Sequence, residues 1–252
     1  GGTAGTVTVG AAGVAANDIT VTTPGYVFSG GPIVLNGDSP TFNISGGSTC
    51  NIESIVAGAS GLVKTGPSTL QLRAANRYQG DTRVLQGNLL IGLGNNRLPI
   101  TSRLILGDGT SSGTFQMNSR SQQVGGLLTS GTGTSNRVIN TNAVTTTFTV
   151  RIANDADTNL FNGTLGGGTA NDNNYHFVKS GLGRLILAGD STYSGGTTID
   201  AGTLQIGNDG ATGTLAAAAV TNNGTLRFDR TGTLTVPNEI SGSGGLHVDC
   251  PA

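Results

Sequence analysis

The chain has 252 residues, 35% of them hydrophobic but only 4% aromatic, with no Trp and 43 Gly, which argues against a dense aromatic core and for many short strands joined by tight turns. Charged residues make up 11%, the net charge is −1, and the arginines are scattered without a run, so no basic patch marks a nucleic-acid partner. No stretch approaches the roughly 20 apolar residues that a membrane-spanning helix needs.

In chain order, the opening residues contain no charged-then-apolar leader, and a start at Gly1 points to a removed signal segment. The run Gly25-Tyr26-Val27-Phe28-Ser29-Gly30-Gly31 is the first dense apolar stretch. Cys50 follows, sharing an alternating face with Ile52 and so pointing to the apolar side. Its fellow, Cys250, shares a face with Leu246 and Val248. The leading reading for both is burial without a partner. An internal bridge is disfavoured, because stacked coils would hold the two about 50 Å apart.

Between 61 and 92 a compact motif appears. Leu62-Val63-Lys64-Thr65-Gly66-Pro67 leads into Leu70-Gln71-Leu72, a short strand whose alternate side chains face inward. Gly80 marks a turn, Thr82-Arg83-Val84 a second strand rich in branched residues, and Gly87 to Ile91 a third. Further strands are expected at Leu104-Ile105-Leu106, Gly113-Thr114-Phe115 and Thr147-Phe148-Thr149-Val150, with loop insertions at 108–135 and 153–175. The motif then returns at 177–207 without a gap, at a constant offset of 115 that carries Lys64 onto Lys179. Tyr78 meets Tyr193, Gly80 meets Gly195, and Gly87 meets Gly202. The chain's two lysines therefore occupy one place in the two copies. Gly-Thr-Leu strand openings recur at 163, 213, 224 and 232, and the Ala-rich stretch from Leu215 to Val220 is too short for a helix.

A recurrence near 20 residues with three strands per period predicts an all-β parallel β-helix, a β-solenoid with three strands per coil, forming one domain over 1–252. Gly61 to Gly80 and Val178 to Leu204 resemble the autotransporter-associated β-strand repeat, as do Gly25 to Gly31 and Ile240 to Leu246 in the flanks. The resemblance implies a right-handed coil and a passenger secreted from, or held at, a bacterial cell surface.

Residues able to do chemistry are sparse. Asn36-Gly37-Asp38-Ser39-Pro40 weakly resembles the nucleophile region of serine-protease passengers, but the glycine after the serine is missing and no His precedes it. His176 and His247 read as surface or edge residues. Asp155, Asp157 and Asp172 form the densest acidic group and are weak candidates for calcium ligands. Lys64 and Lys179 are expected on the coil surface, fixed there by strand register. No catalytic residue and no cofactor is expected. The leading functional expectation is a non-enzymatic extracellular structural element, self-associating through its ends or sides into a stalk, fibre or layer. The alternatives are an adhesin binding glycan or a host surface and, last, a polysaccharide-cleaving enzyme.

Overall fold

A computed structural model describes residues 4–23 and 25–249. Every named strand pair is parallel, and the sole helical piece among the described residues is a single 3-10 turn at Asn171–Asn173. The chain winds as a β-solenoid. Each rung pairs with the rung about one turn away in sequence, so the backbone donors and acceptors of one coil are satisfied by the next.

Three faces run along the axis. The first is an eight-stranded sheet that starts at Thr6–Val9 and ends at Thr164–Leu165. The second begins as a four-stranded sheet from Val14–Ala16 to Arg77–Tyr78 and resumes as a six-stranded sheet at Gln122–Val124. The coil between them has no strand at Leu98. There the buried Gln122 amide bonds both sides of that residue, accepting from Leu98 N at 3.0 Å and donating to Leu98 O at 3.1 Å. The third face is a six-stranded sheet ending at Gly126–Thr129, continued by five strands from Thr158–Phe161. At that junction Asn159 Oδ1 accepts from Leu127 N at 3.1 Å, and Thr129 Oγ1 accepts from Asn162 N at 3.0 Å. Side-chain amides and hydroxyls thus replace ladder bonds where the backbone register lapses. The strand count per turn varies: Thr49 to Thr65 carries three strands, whereas Thr197 to Gly210 carries two.

Segments 108–135 and 153–175, expected as insertions, lie largely within the coil. They contain the rungs Gly113–Gln116, Gln122–Val124, Gly126–Thr129, Thr158–Phe161 and Thr164–Leu165. The Gly-Thr openings at 113 and 163 marked two of these rungs; the other three were hidden by a weak motif, because a rung needs only two or three inward side chains to hold its place.

Inward side chains form one continuous cluster from Val9 to Phe228. Aromatics are few, yet they are not spread thinly. Phe115, Phe148, Phe177 and Tyr193 pack in a row of tilted rings with centroids 6.1, 6.4 and 5.6 Å apart. Tyr175 also stacks on Tyr193 at 5.6 Å. Composition alone excluded a dense aromatic core; coil stacking brings the scattered rings together.

Cys50 is buried and unpaired, and burial pushes its thiol up to about 11. It should therefore resist iodoacetamide at pH 8 in the folded chain and react once urea is added, read as alkylation of the Cys50 peptide by mass spectrometry. Rapid native labelling would contradict its burial. Cys250 lies outside the described residues.

Candidate functional site

The two lysines are not on the surface. Lys64 and Lys179 are each 0% exposed. Each ends an inward series, Leu62 to Lys64 and Phe177 to Lys179, two residues apart along a strand. Period-two alternation alone would have turned both inward; the general rule that lysine is rarely buried argued the other way.

Each ammonium sits at a corner and donates three hydrogen bonds to backbone carbonyls. Lys64 Nζ reaches Thr65 O and Gly66 O at 2.7 Å and Gln86 O, on the next coil, at 3.1 Å. Lys179 Nζ reaches Ser180 O at 2.9 Å, Gly181 O at 2.8 Å and Ala201 O at 3.2 Å. Three N–H donors meet three acceptors, which is the full complement of an ammonium group. The lysine closes a turn whose carbonyls face away from the ladder and ties that turn to its neighbour. A second element repeats beside it: Tyr78 OH lies 2.7 Å from Thr82 Oγ1, and Tyr193 OH lies 2.6 Å from Thr197 Oγ1.

The copies match in sequence but not in position around the axis. Lys64 belongs to the third face and is followed by a first-face strand, Thr69–Leu72. Lys179 belongs to the second face and is followed by a third-face strand, Arg184–Leu187. The motif is therefore a self-contained corner, usable at more than one edge of the prism.

Burial lowers both lysines from 10.5 to about 8. Between these values the unfolded chain binds more protons than the folded one, so stability rises with pH. Above about pH 9 the raised Cys50 thiol and the raised Tyr78 and Tyr193 hydroxyls oppose this, because the unfolded chain then loses their protons first. The urea midpoint is therefore expected to climb from pH 7.5 to 9 in the native chain and to stay flat in the Lys64→Met/Lys179→Met double variant. Parallel profiles would show that the lysines do not carry the slope.

The acidic candidates do not converge. Asp157 accepts from Asn154 Nδ2 at 3.0 Å in the turn before the third-face strand at Thr158. Asp172 accepts from Thr169 N at 3.1 Å within the 3-10 turn between first and second faces. Asp155 is exposed in the same turn as Asp157. No group of three or more His, Cys, Asp or Glu side chains able to hold a metal occurs among the described residues. His176 is held by Gly195 O at 2.7 Å, which only accepts, and by Thr198 Oγ1 at 2.8 Å. Ser39 is exposed in a bend. His247 lies on the last rung, Gly245–Asp249.

Leu246 and Val248 pair along Leu226 and Phe228, yet are 57% and 67% exposed. With Phe228, Leu234 and Val236, Val248 lines a cavity of about 240 Å³ that Arg230 and Asp249 also edge.

The passenger-associated-transport-repeat family matches residues 62–91 and 177–206, the two lysine corners and the strands around them. A curated relative, the adhesin BmaC autotransporter of Brucella suis biovar 1 (strain 1330), is 35% identical over 254 residues, 97% of this chain. This chain is an autotransporter passenger-like repeat protein. Such a passenger-like chain belongs at the bacterial cell surface or is secreted from it. It spans 7% of that relative's length. No solved structure matches it. No helix among the described residues is long and apolar enough to cross a membrane.

Proposed function

We propose that this passenger-like solenoid is a non-enzymatic adhesive scaffold: one domain over 1–252, right-handed, with three strands as its basic period. Its work is to project a rigid polar surface outward. The observation that carries this reading is the third-face ladder of six strands and then five, whose rungs stack along one axis. Parallel coils share a core through nearest neighbours, so stiffness accumulates with coil number. The outward positions are then free to vary. The name of the adhesin relative supports the same reading. The test is attachment of beads coated with the purified chain to host cells and to extracellular-matrix films. Retention above uncoated beads is expected; retention equal to theirs would overturn the adhesive role.

A second reading is self-association into a stalk, fibre or layer. Sedimentation should then show association that grows with concentration. A monomer at high concentration, with no filaments by electron microscopy, would remove this reading.

A further inference from the structure

The outward side chains of the first face differ from those of the third. On the third face the outward positions of the middle coils include Val63, Ile105, Leu128 and Ile186, broken by Arg83 between the first two. On the leading edge of the first face, Thr49, Thr69, Asn88, Thr114, Arg137 and Thr164 stand in one unbroken register. Five of these six carry a hydroxyl or an amide, and none is acidic. Neighbouring rungs lie about 4.8 Å apart, so the column spans about 24 Å.

Two open grooves lie along this same edge. One, of about 480 Å³, runs beside Thr49, Thr69 and Asn88 and is walled by Ser, Gly and Pro67. The other, of about 260 Å³, lies beside Arg137 and Thr164 against Gly166 to Gly168. Arg137 is exposed and has no carboxylate partner among the described residues. A column of neutral hydrogen-bonding groups, stepped at about the length of one sugar and carrying a single free guanidinium near one end, matches a particular ligand class.

We propose that the leading edge of the first face is a binding track for an extended, largely neutral oligosaccharide carrying an acidic sugar, whose carboxylate pairs with Arg137. The hydroxyls and amide of Thr49, Thr69, Asn88 and Thr164 exchange hydrogen bonds with the sugar hydroxyls, while Thr114 is buried beneath the track. Pro67 offers an apolar surface to a pyranose face. The guanidinium fork takes the carboxylate through two parallel N–H bonds. This site rests on the adhesive reading given above and assigns it a ligand and a location.

The probes are linear N-acetyllactosamine oligosaccharides of two to eight sugars, with and without a terminal sialic acid, titrated calorimetrically into the chain. Affinity is expected to grow with length until the column is filled and then to level off. Removing the sialic acid, or replacing Arg137 by Gln, should each weaken binding about tenfold, and the two changes together should cost little more than either alone. Thr69→Val with Asn88→Leu should weaken sialylated and neutral probes alike, whereas Thr221→Val on the second face should change nothing. Additive losses, equal affinity at every length, or binding indifferent to the first-face substitutions would overturn the track. Beads that attach to cells through a chain binding none of the probes would overturn the track and leave the adhesive reading standing. Beads that also fail to attach would overturn both.

Discussion

Lys64→Met is expected to lower the stability of the coils around Gly66 and Gln86 by about 3 kcal/mol, although methionine fills much of the same space. The lysine's value lies in its three donors. Without them Thr65 O, Gly66 O and Gln86 O lose their Nζ partner in a buried corner. A buried acceptor left unmade costs about 1–3 kcal/mol, and partial relaxation toward solvent keeps the total near the lower sum. Relief of the ammonium's own burial offsets part of the loss. Lys179→Met should act similarly at its own corner. Because solenoid coils interact through nearest neighbours, each loss should appear locally. Hydrogen exchange should quicken first at rungs 62–91 in one variant and at 177–206 in the other. An unchanged urea midpoint together with unchanged exchange would exclude the corner role.

Gly87→Val should be at least as damaging, by about 3–5 kcal/mol, from backbone strain and overpacking together. Gly87 has φ +72, a conformation that a branched side chain resists. A Cβ there would stand 2.5 Å from Gly66 O and 2.8 Å from Pro67 O, both backbone atoms of the preceding coil. Gly66 O is also the carbonyl that Lys64 holds, so the substitution pushes against the lysine corner itself. Gly202 has the same role in the other copy, with φ +68 and Leu182 O and Gly183 O at 2.5 and 2.6 Å from the site of a Cβ. By contrast Gly168 has open space and a φ any residue can adopt, so Gly168→Ala should shift stability by less than about 0.5 kcal/mol. Circular-dichroism melts of the three variants compare these effects directly. A Gly87→Val chain melting with the native one would refute the close-approach argument.

Much of this architecture was legible beforehand. The 19-residue spacing of Leu70 and Leu89 is the spacing of two rungs that do pair, and Leu185 pairs with Leu204 in the same way. The inward place of Cys50 followed from alternation with Ile52. The strand at Gly113-Thr114-Phe115 was legible, but the rungs Gln122–Val124 and Gly126–Thr129 were missed because few apolar residues mark the period there. The corner lysines were misplaced although the needed signal was present in Leu62-Val63-Lys64, since nothing local reveals that three carbonyls await the ammonium.

The sequence by itself determined the parallel coil, the repeated corner and the sparse charge, because these arise from alternation, turn glycines and composition over a few residues. Tertiary structure alone decided which edge of the prism each corner occupies. Two copies of one motif lie one face apart because the coils between them differ in length, and the accumulated excess turns the second copy around the axis. It also decided that Thr49, Thr69, Asn88, Thr114, Arg137 and Thr164 share one column. Their unequal spacing along the chain carries no period; alignment comes from backbone ladders that absorb the extra residues of each turn into its corners.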